Sequence, residues 1–330
     1  MCCFLSASRS QYPDSTFPRS DQGLRQTQPG SFGLYRAAIA QGVAMQVVAP
    51  GKTPRGASDR VKTDRKDAEL LARLLLAGSL TRVVVAPPEV EAARELTRAH
   101  DACRRDLMTA RHRVSKMLLR HGRVYPKATT WTAEHRRWLS VQRFDHAASD
   151  LVFGDLLACV DGLSSRKAQI ALALSQLATD PAWWPTVARL RAFRGIDTLT
   201  AFSLHLELGA DWRRFERASQ LSAWLGLTPS LSQSGESSRQ GSITKTGSML
   251  ARRLLVESAW HYSRQPRLGA TLANRQHGQP DHILAISNRA QQRLFKVNRA
   301  MKARAKPHNV IVVACARQLA AFLWAAATAD

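Results

Sequence analysis

Residues 59–80, DRVKTDRKDAELLARLLLAGSL, open basic and polar and run into an amphipathic helix. Leu70, Leu71, Leu74 and Leu75 recur at helical spacing, and Gly78 closes the pattern one step past its last apolar residues. Asp64 and Asp67 stand three apart at the predicted helix start, so both carboxylates face one way near the positive end of the helix dipole. Two hard oxygen donors in that setting suit a magnesium ion beside a phosphate oxygen. Lys62, Arg65 and Lys66 make the neighbourhood attractive to a polyanion. A solvated, capped helix start has the same spacing, so D-x-x-D does not decide the chemistry by itself.

The rest of the chain narrows the choice. Its 330 residues carry 48 Lys and Arg against 25 Asp and Glu, a formal charge of +23. A chain this basic calls for a polyanionic partner, nucleic acid first and an anionic membrane second. No stretch reads as a membrane span: the most apolar run, residues 310–327, contains Arg317 and Gln318 and fits a buried C-terminal helix. Five scattered cysteines without a C-x-x-C pair exclude a disulfide framework or a zinc site and fit a reducing cytoplasm.

Outward from the opening stretch, residues 1–28 lack apolar periodicity and read as a disordered or unrelated start. Residues 33–40 predict a short helix, residues 45–49 (MQVVA) a buried strand, and residues 83–85 a second strand closed by Pro87 and Pro88. Residues 29–88 thus read as part of an α/β unit. Residues 89–180 read as a basic, helical or coiled-coil region. Residues 101–143 hold 11 Lys and Arg against 3 acids, and Arg111, Arg113 and Arg120 are its candidate phosphate contacts. Trp131, Trp138 and Phe144 are its packing anchors.

Residues 181–330 read as a helical C-terminal domain. LRAFRGIDTLTAFSLHLELG, residues 190–209, has the form of a helix-hairpin-helix, whose turn amides can hold a phosphate; a plain helical hairpin fits equally well. The block that follows, residues 215–262, places a serine-rich loop at 228–247 between two helices, with Arg239 and Lys245 inside it. A loop that long between regular helices points to function. The second helix is expected to bury Leu250, Leu254, Leu255 and Ala259.

Two motifs carry a resemblance. D-R-V-K-T-D-R-K-D-A-E-x-L-A-R-L-L from Asp59 resembles one hallmark of the DEDD insertion-sequence transposases of family one-ten. L-x-x-W-L-G-L-x-P-S-x-x-Q-S-G-E-x-x-R-x-G-x-I-T-K-x-G from Leu221 is similar to the second hallmark. The resemblance implies an RNase H-like (RuvC-like) N-terminal domain that binds Mg²⁺ on four acids, and a helical transposase domain whose serine attacks DNA. It further implies DNA ends and target as substrates, a guide RNA, and a homo-oligomer, dimer or tetramer. Residue by residue, Asp64 and Asp67 fill the last two acid positions and Ser234 the nucleophile position. Arg239 and Lys245 become phosphate clamps beside it. The family's opening strand with its first acid has no match here, and Gln26 falls where its second acid belongs. The expectation is therefore a recombinase with two of four metal ligands, shortened at its N-terminus; the alternative is a nucleic-acid-binding protein without chemistry.

Overall fold

A computed structural model describes residues 22–26, 31–49, 52–54, 63–235 and 237–329. The chain divides into two compact units, Met1–Pro87 and Pro88–Asp330.

In the first unit, strands β1 (Gln22–Gln26) and β2 (Ala44–Val48) pair in parallel, from Gln22 opposite Ala44 to Gln26 opposite Val48. Parallel neighbours need a crossover connection, and helix α1 (Ser31–Ala40) lies between them in the chain. Residues 22–26, expected within an irregular start, thus form a strand, stabilised by a partner distant in sequence rather than by local periodicity. The strand expected at residues 83–85 does not form. Val83 N–H donates to Val47 O at 2.7 Å, Arg82 bridges Val48, and the pairing stops before the two prolines. Helix α2 (Asp64–Leu76) follows the expected boundaries. Thr63 caps it by accepting from Lys66 N–H, and Asp64 and Asp67 occupy its first turn, where negative charge complements the dipole. Leu70, Leu71, Leu74 and Leu75 are half-buried, and no residue of α2 is fully buried.

The second unit is helical. Helix α3 (Pro88–Arg120) runs for 33 residues and packs along α5 (Ala147–Leu177), with α4 (Ala133–Ser140) between them in the chain. Leu107, Val114, Met117, Leu118, Phe144, Phe153 and Val160 form their shared core, with Trp131 and Trp138 packed on its edge. Helices α6 (Trp184–Arg191) and α7 (Thr198–Glu207) follow and pack on each other. Every residue of α7 from Ala201 to Glu207 is buried, which makes it the central helix of the unit.

Helix α8 (Ala218–Trp224) leads into a β-hairpin of β3 (Pro229–Ser234) and β4 (Ser237–Ile243). The long serine-rich loop is therefore regular structure. Its pairing runs Ser234 to Ser237, Gln233 to Ser238, Ser232 to Arg239 and Leu231 to Gln240, with an irregularity near Pro229. Helix α9 (Met249–Ala259) buries Ala251, Leu255, Ser258 and Ala259, while Leu250 and Leu254 are half-buried, so its inner face is turned from the one expected. A 3-10 turn (Trp260–Ser263) precedes α10 (Ala270–Gln276), α11 (Asp281–Ala303) and α12 (His308–Thr328). By length and composition alone α12 is long and apolar enough to cross a bilayer, as the core helix of a compact unit also can be. It packs against α6, α8, α9 and α11 and buries Ile311, Cys315, Leu319 and Leu323. The long basic helices and the C-terminal helices, read as separate regions, lie in one compact unit.

Candidate active site and nucleic-acid interface

Ser234 ends β3 at the tip of the hairpin, and Gly235 begins the turn. Every described residue from Pro229 to Ser242 is exposed. Two-stranded ribbons are marginal in water when nothing packs on them, so this one depends on its base. There Gly226 and Gly247 both hold positive φ, 66° and 69°. A Cβ at Gly226 would collide with Thr246 N, and one at Gly247 with Trp224 O, so the strands leave the helices through two interlocked backbone turns. Lys245 N–H donates to Gly226 O at 3.1 Å, Thr246 Oγ1 donates to Ala223 O at 3.1 Å, and Thr244 N–H donates to Thr228 O at 3.0 Å. Arg252 Nη1, from α9, donates to Leu225 O at 3.1 Å and also to Thr246 O.

Alternation along the ribbon separates its side chains into two faces. Ser232, Ser234, Ser237 and Arg239 share one face; Leu231, Gln233, Ser238 and Gln240 share the other. Ser234 Oγ lies 3.3 Å from Ser237 Oγ, and Ser237 Oγ donates to Ser234 O at 3.1 Å. With the Ser237 proton committed to that carbonyl, its oxygen is left to accept the Ser234 proton. Arg239 sits on the strand opposite Ser234, diagonal to it, within reach of a long side chain. Lys245 lies at the base, exposed, with φ 56°.

Beneath the ribbon is a polar cluster that the sequence reading missed. Glu207, at the end of α7, has a buried side chain, 2% exposed. Arg98 of α3 donates to it through Nε at 2.8 Å, and Ser248 Oγ donates to its Oε2 at 2.6 Å. Ser248 also caps α9 by accepting from Ala251 N–H at 3.2 Å. Arg94 of α3 donates twice to Leu206 O, at 3.1 and 2.8 Å. Burial pushes the Arg94 guanidinium below its ordinary pKa, with Glu207 opposing that shift. A second set joins the same helices, since Arg253 of α9 pairs with Asp101 of α3 at 2.7 Å. The available signal was Glu207 itself, an acid inside the largely apolar run FSLHLEL, residues 202–208.

The remaining candidates divide. Arg111 is half-buried and lies over the Trp131 ring at 5.0 Å. Arg113 and Arg120 line a groove of about 400 Å³ with His112, Lys116, Val152 and Leu156. Arg65 is exposed and pairs with Glu69 at 3.2 Å, and Lys66 is exposed. Lys62 lies outside the described residues. Asp64 is exposed and Asp67 half-buried, one turn of α2 apart. Among the described residues no group of three or more His, Cys, Asp or Glu is gathered for a metal ion. The helix-hairpin-helix reading meets a competitor at its own turn: Asp197 caps α7 by accepting from Thr200 N–H at 2.7 Å, placing a carboxylate where a phosphate would sit.

A family model described as a DEDD-type transposase matches residues 15–122, and a model of the transposase IS116/IS110/IS902 family matches residues 187–273. These regions hold the Asp64–Asp67 turn and the serine hairpin, so the class is that of DNA transposases. Over 299 residues the chain is 38% identical to a Sinorhizobium fredii protein named as a transposase, y4qE, covering 91% of this chain and 73% of the relative. It is 30% identical over 283 residues to the transposase for insertion sequence element IS1533 of Leptospira borgpetersenii, covering 83% and 80%. The chain belongs to the IS110 family of insertion-sequence transposases. Enzymes of this family cleave and rejoin DNA, and its DEDD domain implies an RNase H-like fold. The β1–α1–β2 crossover is in keeping with that fold.

Proposed function

We propose that this transposase cuts DNA with Ser234 as nucleophile. The observation that carries the reading is the ribbon tip. Ser234 stands exposed on a stapled hairpin, its hydroxyl beside Ser237 and on the same face as Arg239. In the proposed step the Ser234 oxygen attacks a backbone phosphorus and one phosphorus–sugar oxygen bond breaks. The Ser234 proton is released to solvent past Ser237, the departing sugar oxygen takes up a proton, and the strand is held as a phosphoserine ester. A DNA hydroxyl reverses the exchange at the new site, so the bond energy is kept and no nucleotide cofactor is consumed. Arg239 and Lys245 neutralise phosphate charge, and Ser237 orients the Ser234 proton.

Asp64 and Asp67 are the described carboxylates proposed for Mg²⁺, which when bound supplies charge stabilisation at phosphate oxygens. Two carboxylates do not by themselves make up the octahedral shell the ion prefers, so no step is derived through it. DNA ends and target are the proposed substrates, with a structured guide RNA and a second copy of the chain as partners. The second reading, nucleic-acid binding without chemistry, draws on the same short donor set.

The test is adduct trapping. The chain, and a chimera bearing the opening strands of a relative, are incubated with element-end DNA, guide RNA and Mg²⁺. A covalent protein–DNA adduct is expected that Ser234→Ala abolishes while binding is retained. An adduct that survives Ser234→Ala overturns the assignment and moves attention to Ser232, Ser237 and Ser238. Binding by both proteins with adduct from neither favours the second reading.

A further inference from the structure

We infer that the outer face of α11 is a second DNA-binding surface, which lies along duplex DNA independently of the serine hairpin. This rests on the family reading only for the presence of DNA.

Helix α11 reads DHILAISNRAQQRLFKVNRAMKA, and its sole acid is Asp281 in the first turn. Its buried side holds Ile283, Ser287, Ala290, Gln291, Leu294 and Asn298, and packs on α12. The opposite side exposes Asn288, Arg289, Gln292, Arg293, Lys296 and Arg299. These positions follow the helical repeat, so they form one continuous stripe about 17 Å long at 1.5 Å per residue. Lys302 in the last turn, with Arg304 and Lys306 just beyond it, continues the positive charge.

None of the four cations in the stripe pairs with an acid among the described residues. Arg293 Nε donates to the neutral Gln318 at 3.3 Å, and Arg299 lies over the Phe295 ring at 5.7 Å. Like charges three and four residues apart destabilise a helix by a few tenths of a kcal/mol per pair. Here Arg289, Arg293, Lys296 and Arg299 form an unbroken series of such pairs. The contact that the fold draws from this series is the neutral one from Arg293 to Gln318 of α12, because the buried face of α11 that packs on α12 is the other one. Elsewhere in the unit comparable cations are paired, as Arg98 is with Glu207 and Arg253 with Asp101. An unbalanced stripe on a well-anchored helix is complementary to a line of phosphates, whose neutralisation releases counterions.

The form of the surface selects the duplex. A straight helix fits the B-form major groove, whereas the deep, narrow major groove of A-form RNA does not admit it. Asn288 and Gln292, set between the cations, are neutral donors that bond to phosphate or base edge once the helix is seated.

The experiment measures binding of the full chain carrying Ser234→Ala, without divalent metal, to a labelled mixed-sequence duplex at several salt concentrations. Replacing Arg289, Arg293, Lys296 and Arg299 together by Gln should flatten the log–log salt slope by about 3 to 4, since each phosphate contact contributes about 0.9. Exchanging Lys and Arg at the four positions should leave the slope near the parent value. Should the fourfold variant fail to fold by circular dichroism, Arg289→Gln and Lys296→Gln singly should each lower the slope by about 1. An unchanged slope overturns the proposal, as does a loss of affinity for structured RNA with duplex binding intact. Because neither cleavage nor metal enters the measurement, failure here leaves the Ser234 reading standing, and failure of that reading leaves this one standing.

Discussion

At the scale of single residues, the region under the ribbon is governed by what burial does to polar groups. His205 on α7 accepts from Trp212 Nε1–H at 3.0 Å through Nδ1, and burial pushes its pKa down to about 4. The fold therefore holds it neutral, while the unfolded chain protonates it near its ordinary value of about 6.5. Between these limits the unfolded state binds the extra proton. Stability is full above about 6.5 and is lost as pH falls toward 4, by about 3 kcal/mol at most from this group. Burial lowers His100, His135 and His261 in the same direction. Denaturant unfolding of the parent and of His205→Gln should give stability curves that converge as pH falls across this window. Curves that stay parallel would contradict the assignment. Glu207 is the other buried centre. Glu207→Ala removes the shared acceptor of Arg98 and Ser248 and should cost about 2 kcal/mol. If the cluster also fixes the start of α9, and with it the hairpin base, the same variant should slow adduct formation more than duplex binding.

At the scale of elements, the hairpin shows what spacing can and cannot convey. Gly226→Ala and Gly247→Ala each force a side chain into positive φ and into the backbone of the facing turn. Each should cost about 2 kcal/mol or more. The loss should fall on the ribbon, so that limited proteolysis cuts within residues 228–247 while the α12 core is retained; resistance equal to the parent would refute the staple. Helices with a caps-and-periodicity signal were legible in the sequence. Gly78 and the leucines at helical spacing mark α2, and the anchors Trp131, Trp138 and Phe144 lie on the core shared by α3 and α5. Elements made by distant pairing were not. Strand β1 exists through β2, and the serine-rich stretch turns into a ribbon because Gly226 and Gly247 meet across 20 intervening residues. For the site, Ser234 and Arg239 could be picked from the motif, but their common face depends on strand register. The Arg98–Glu207–Ser248 contacts join three helices, which no local pattern announces.

For the whole molecule, the decisive contrast is between where the charge lies and where the core lies. In the described part of residues 1–87, Val47, Val48 and Ala86 are the buried apolar side chains, whereas α7 buries most of its length and α12 a full apolar face from Ile311 to Ala326. Asp64 and Asp67 therefore stand on a helix with no fully buried residue, in the unit with the smaller core. A site of that kind has little preorganisation to offer an ion that dehydrates reluctantly, and two carboxylates are short of an octahedral shell. The free chain should accordingly bind Mg²⁺ weakly. Hydrogen exchange should find the amides of α2 among the fastest of the helices, well ahead of α7 and α12, because protection follows buried contacts. Micromolar Mg²⁺ should leave that pattern unchanged. The same ion at millimolar concentration with element-end DNA should slow α2, because phosphate oxygens then complete the shell and their binding energy orders the helix. Asp64→Asn with Asp67→Asn should erase the slowing but not the DNA binding, which draws on a net charge of +23 spread over the chain. Calorimetry showing micromolar Mg²⁺ affinity for the chain alone would mean that further ligands are already gathered around these two aspartates.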